Sequence, residues 1–84
     1  MKIYDYNGKA NIVGPKILEA RKKLNLSQDM LATKMQLESI EISQKVISRI
    51  EKQERFVADY ELVVFAKVLN VDINWLLSPE QNNF

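Results

Sequence analysis

The 84-residue chain contains no cysteine and no histidine. Without cysteine there is no disulfide framework and no thiolate site, which fits a reducing interior. Without histidine, zinc would have to rely on carboxylates, and the commonest general base at neutral pH is missing. The sequence has no glycine-rich phosphate loop and no carboxylate pair standing in an obvious cleft, so it does not read as an enzyme, and it calls for no cofactor and no metal. Glycine and proline are scarce, with two of each. No apolar run approaches the roughly 18 residues of a membrane span. The first residues, MKIYDYNGKANIVG, carry acids and lack a long apolar core, unlike a signal peptide. A cytoplasmic location is therefore expected.

Hydrophobic residues make up 46% of the chain and charged residues 27%, a globular composition. A domain this small buries only about 60–65% of its unfolded surface, so its stability is marginal. The net charge of +1 is unremarkable, but its distribution is not. Residues 1–26 hold six bases and two acids, net +4; residues 27–55 hold five of each; residues 56–84 hold one base and four acids, net −3. Such polarity suits a protein with one anion-facing side.

Residues 1–13 read as an N-terminal arm, with Asn7-Gly8 marking a turn. Gly14-Pro15 opens a first helix over about 15–24, with proline at the first helical position, where its missing N–H costs nothing. Ser27 is an N-cap and Asp29 places negative charge in the first turn of a second helix, about 28–36. A six-residue connection, 37–42, follows without glycine or proline. Its Leu37, Ile40 and Ile42 are expected to form a satellite cluster against the next helix. Ser43 caps a third helix, about 44–53. Asp59 is expected to cap a fourth, about 60–69, whose Leu62, Val63, Phe65, Ala66 and Leu69 make a broad apolar stripe. Asn70 suits a left-handed helix end. Asp72 caps a last short helix, 73–78, whose Trp75 belongs to the core. Ser78-Pro79 ends it, and 79–84 is a polar tail. The expected fold is all-α: five short helices over 14–78 and no strand.

The stretch SQKVISRIE, 43–51, carries the functional signal. Ile47 and Ile50 share one side of the helix. Gln44, Lys45, Ser48 and Arg49 share the other, with Lys52 a turn further on and no acid between Ser43 and Ile50. Amides and cations are what base edges require: glutamine bonds adenine bidentately, and lysine or arginine donates to guanine O6 and N7. The free N–H groups at the start of the second helix, at Ser27-Gln28, suit a phosphate.

From about Asn11 to Leu77 the chain resembles the phage-repressor-like (Xre-type, Cro-like) helix-turn-helix family. The resemblance rests on Gly14, EARKKLNLSQDMLATKM (19–35), SQKVISRIE (43–51) and DYELVVFAKVLNVDINWLL (59–77). It implies a five-helix, lambda-repressor-like DNA-binding domain, usually a repressor or transcriptional regulator that acts as a homodimer on double-stranded DNA bearing an inverted-repeat operator. It assigns base contacts to Gln44, Lys45 and Arg49, and phosphate contacts to Gln28, Lys52 and Arg55; the residues themselves add Ser48, small enough to let the backbone approach the bases, and the two N-cap serines, Ser27 and Ser43, as further phosphate contacts. It further pairs Arg21 of the first helix with Glu51 as a structural, partly buried ion pair. The chain departs from the family's usual pattern in its longer, glycine-free turn, as in a subset with an extended turn. It also carries Glu38, Glu41 and Glu54 near the proposed surface. These acids motivate an alternative, a protein-interaction or antitoxin-like module with a protein partner. Tyr4, Tyr6 and Phe84 are candidate dimer contacts, whereas Lys22 and Lys23 read as solubilising charges.

Overall fold

The computed structural model describes residues 5–78; Tyr4, Phe84 and the tail 79–84 named above lie outside them. Five helices follow one another: α1 (Gly14–Lys23), α2 (Gln28–Leu37), α3 (Gln44–Glu51), α4 (Asp59–Leu69) and α5 (Ile73–Leu77). Among the described residues the only β-type pairing joins Tyr6 to Lys9. Asn7 (φ 53°) and Gly8 (φ 81°) both lie in the left-handed region, as a tight two-residue hairpin turn demands.

Each helix is long enough to bury one face and too short to be stable alone. α1 contributes Ile17 and Ala20, α2 Leu31 and Met35, α3 Ile47 and Ile50, and all six are buried. Phe65 and Leu69 of α4 and Leu76 of α5 close this core from the other side. α2 packs chiefly on α3 and α4, α1 on α3 and α4, and α5 on α4. No helix among the described residues is long and apolar enough to cross a membrane.

Helix starts follow the sequence closely where a hydroxyl or carboxylate precedes them. Ser27 Oγ accepts from Met30 N (3.0 Å), Ser43 Oγ from Val46 N (3.2 Å) and Asp72 Oδ1 from Asn74 N (2.7 Å). At α4 the expectation fails. Asp59 is the first helical residue, not the cap; the cap is Ala58, whose N–H donates to Glu61 Oε1 at 2.9 Å. A carboxylate reaching back from the third helical position therefore does what Asp59 was expected to do, in half of a capping box. At α1, Pro15 is the second helical residue, one position later than expected. The helix is started by Asn11, whose Oδ1 accepts from Gly14 N at 2.8 Å.

Helix ends close through left-handed residues: Asn25 after α1, Ser39 after α2, Gln53 after α3 and Asn70 after α4. α3 thus ends at Glu51, two residues earlier than expected, because Gln53 turns left-handed at φ 64° and its N–H folds back to Ile50 O at 2.9 Å. Ser39 (φ 66°) directs Ile40 N to Met35 O at 3.0 Å and so turns the chain without a glycine. A left-handed conformation costs a non-glycine residue about 1–2 kcal/mol, and glycine returns part of that gain through its freer unfolded state. Ser39→Gly is therefore expected to stabilise the domain by about 0.5–1 kcal/mol, read as a rise in the urea midpoint with an unchanged slope.

The connection after α2 does not form the expected satellite cluster. Ile42 is fully buried in the main core and Ile40 packs against it, but Leu37 is 79% exposed. Leu37 is the last residue of α2, on the far side from the buried Leu31, Ala32 and Met35, so it projects past the core. Gln36 Nε2 donates to Ile42 O at 3.0 Å and ties the connection to α2.

α5 is held from the start of α1. The Lys16 ammonium donates to Trp75 O (3.2 Å) and Ser78 Oγ (3.0 Å) and lies 4.5 Å from the Trp75 ring centroid. A cation at the carbonyl end of a helix is favourably placed, and the indole face offsets its burial.

Candidate nucleic-acid interface

α3 is anchored by Ile47 and Ile50, three residues apart and both fully buried. That fixes which face is left outside. Gln44, Lys45, Arg49 and Lys52 are exposed, and Ser48 and Val46 are half-buried between them. The outer face therefore carries two rows, Gln44–Ser48 and Lys45–Arg49–Lys52, each at one-turn spacing.

A chain of hydrogen bonds sets the position of this helix. Arg21 donates to both carboxylate oxygens of Glu51, Nε to Oε2 at 2.7 Å and Nη2 to Oε1 at 3.0 Å. Both side chains are nearly buried, at 10% and 5% exposed. Arg21 Nη1 also donates to Leu26 O at 2.8 Å, so one guanidinium joins α1, the α1–α2 turn and the end of α3. Glu51 Oε1 accepts in addition from Gln28 Nε2 at 2.9 Å, and Gln28 Oε1 accepts from Gln44 Nε2 at 2.6 Å. The first residue of α2 is thereby bonded to the first residue of α3. Gln44 keeps one amide N–H and its carbonyl oxygen free, which is the donor–acceptor pair that adenine takes bidentately.

The start of α2 retains anion-binding capacity. The Ser27 cap takes Met30 N, which leaves the N–H groups of Gln28 and Asp29 without a partner among the described residues, in addition to the second N–H of the Gln28 amide. Ser43 is similar: its oxygen accepts from Val46 N, and its hydroxyl hydrogen remains available to donate. Asp29, in the first turn of α2, stabilises that helix but opposes an anion there.

The loop after α3 is less free than its sequence suggests. Arg55 is not an unengaged loop cation: Nη1 donates to Glu61 Oε1 at 2.7 Å and to Phe56 O at 2.9 Å, and the guanidinium lies 4.7 Å from the Phe56 ring centroid. Lys52 is exposed and its ammonium has no partner among the described residues. Of the three acids, Glu38 is paired with Lys67 of α4 at 2.7 Å, while the carboxylates of Glu41 and Glu54 are exposed and unpaired among the described residues.

Sequence reasoning missed a buried clamp on the end of α3. Asn11 Nδ2 donates to Ile50 O (3.0 Å) and Arg55 O (2.8 Å). Gln53 Nε2 donates to Asn11 O (3.0 Å), and Ala10 N donates to Gln53 O (3.0 Å). The segment before α1 thus holds the carbonyl end of α3 and the loop beyond it. Gly14 lies in the same contact: a β-carbon there would collide with Ile50 O, with Asn11 Oδ1 and Glu51 O each at 3.1 Å. The one local hint was an asparagine three residues before Gly14, a common turn-forming position. Its partners lie about 40 residues away, beyond the reach of spacing arguments.

Two helices with N-caps facing one solvent side, the second anchored by its apolar face and presenting amides and cations outward, define a helix-turn-helix unit. The chain belongs to the helix-turn-helix family whose sequence profile matches residues 17–76. Its fold is also similar to that of the P22 c2 repressor protein, crystallised in complex with synthetic operator 9T in the presence of Tl+. The TM-score is 0.69 at 26% identity, over 82% of this chain and 97% of that one. No curated protein sequence matches the chain significantly.

Proposed function

We propose that the protein is a sequence-specific DNA-binding transcriptional regulator of the repressor type that inserts α3 into the major groove of an operator. The observation that carries this reading is the Gln44–Gln28–Glu51–Arg21 chain, which fixes an exposed amide-and-cation face on a buried anchor. Structural similarity to a repressor solved with its operator supports the same reading.

Gln44, Lys45 and Arg49 read base edges, and Ser48 is small enough to admit close approach. Ser27, Gln28, Ser43 and Lys52 contact phosphates on either side. Arg55 adds only the guanidinium N–H groups that Glu61 and Phe56 leave over. The protein acts in the cytoplasm as a homodimer on an inverted repeat whose half-sites lie about 34 Å apart on one DNA face. Few phosphate-binding cations per protomer imply a shallow salt dependence for each half-site.

Selection of bound duplexes from a random pool is expected to return an inverted repeat, and a pool without enrichment overturns the reading. Arg49→Ala and Gln44→Ala are each expected to cost about 1–3 kcal/mol on the selected site and to relax preference at a single base position. Equal losses on selected and random DNA would show that these side chains do not read bases.

The unpaired Glu41 and Glu54 favour a second reading, in which this face meets a basic protein partner instead. Stoichiometric capture of one protein without nucleic acid, together with an Arg49→Ala variant of unchanged activity, would establish it.

A further inference from the structure

α4 buries Glu61, Phe65 and Leu69 and turns the opposite face outward. At 100° per residue that outer face is centred on Val63, flanked by Asp59, Tyr60, Lys67 and Asn70. All five are exposed, with Tyr60 at 63% and Val63 at 57%. The face holds two apolar side chains between an acid near its start and a base near its end. Asp59 has no side-chain partner among the described residues. Lys67 touches Glu38 with one of three ammonium donors, and its side chain remains 67% exposed.

We propose that this face of α4 pairs with α4 of a second copy, antiparallel, across a two-fold axis at Val63. The inference names the surface of the homodimer proposed above and rests on that reading. The order of the charges selects the geometry. A two-fold interface is the same patch twice, so each residue must suit the one it meets in the other copy. Across an antiparallel pair, residues equally far on either side of Val63 meet. Asp59 faces Lys67 of the second copy, and Lys67 faces its Asp59. Tyr60 lies beside Ala66 of the second copy, a side chain small enough to let the ring settle between the helices. Val63 meets Val63 on the axis. A parallel pair would instead set Asp59 against Asp59 and Lys67 against Lys67, which repels at both ends.

The contact is one helix face, short of the roughly 1,000 Å² that marks a stable interface. The free protein is therefore a weak dimer, and DNA with two half-sites completes the pairing by raising the effective concentration of the second copy.

The absence of cysteine makes the axis directly testable. Val63→Cys places a single thiol on the two-fold axis. Under mild oxidation it is expected to form a disulfide dimer far faster than Thr33→Cys, on the outer face of α2. Cross-linking no faster than that control overturns the proposal. The charge order has its own test in sedimentation equilibrium. Asp59→Lys alone and Lys67→Glu alone are each expected to weaken self-association about tenfold, because like charges then meet twice. An equimolar mixture of the two is expected to associate again, since the heterodimer restores an opposite pair at both ends. Failure of the mixture to recover overturns the antiparallel register even if Val63→Cys cross-links. Both measurements are made without DNA. Binding to a duplex holding one half-site is measured separately, so a failed surface with intact half-site binding is distinct from a failed DNA reading.

Discussion

Glu51→Ala is expected to unfold a large fraction of the protein at 37 °C. The Glu51 carboxylate is 5% exposed and accepts from Arg21 twice and from Gln28 once. Removing it leaves the Arg21 guanidinium buried with Leu26 O as its remaining partner. Breaking a buried pair from one side costs about 3–5 kcal/mol, because the remaining charge is desolvated without compensation. Small domains hold only about 5 kcal/mol in total, so a loss of this size consumes most of it. Arg21→Ala is expected to match it within about 1 kcal/mol, and Arg21→Ala/Glu51→Ala together are expected to cost less than the two singles summed. Urea denaturation of the four proteins measures this. Additive losses would show that the two residues act independently, contrary to their geometry. A milder change, Glu51→Gln, keeps the fold populated enough to measure DNA binding. It is expected to loosen Gln28 and Gln44 together and so to reduce base discrimination more than overall affinity.

Gly14→Ala is the second large effect. The new β-carbon would overlap the backbone oxygen of Ile50, which cannot rotate away as a side chain does. Overpacking costs about 1–3 kcal/mol, and a collision with backbone belongs at the upper end. The strain is relieved only by moving α1 away from the carbonyl end of α3, which also strains the Asn11 clamp. Folding stability and operator affinity are therefore expected to fall together. Melting temperature and DNA affinity measured on the same preparation check this. A variant with normal stability would show that α1 and α3 approach less closely than described. Gly8 provides the contrast, since a β-carbon there meets nothing within 4 Å and the only cost is its left-handed backbone.

Much of this architecture was legible in the sequence for local reasons. Ser27, Ser43 and Asp72 are caps whose chemistry is complete within four residues, so three helix starts could be read from residue type alone. The inward isoleucines of α3 follow from helical spacing, and with them the outward Gln44, Lys45 and Arg49. What escaped depends on partners distant in sequence or on competition between near-equal local options. Asp59 and Glu61 both suit the start of α4, and the choice is settled by Arg55, which draws Glu61 into the cap. Leu37 is expected in a satellite cluster because it is apolar and reads as part of the connection, but it ends α2 and helix phase carries it outward. The Asn11 clamp and the buried Lys16 are long-range contacts made by polar residues, which periodicity does not address. The base-reading and phosphate roles rest on resemblance as much as on geometry. Side-chain exposure shows what is free to act, and the operator decides which of those groups do.

The sequence has one tryptophan, and the structure places it under an ammonium group from the opposite end of the domain. Trp75 is half-buried on α5, and its carbonyl is bonded to Lys16, 59 positions earlier. Its ultraviolet emission is therefore a built-in optical gauge of whether α1 and α5 are docked. Because the indole lies on neither α2 nor α3, titrating in oligonucleotides should leave that signal nearly steady while denaturant shifts it. Folding and ligand occupancy can thus be followed separately in a single cuvette, with no added dye.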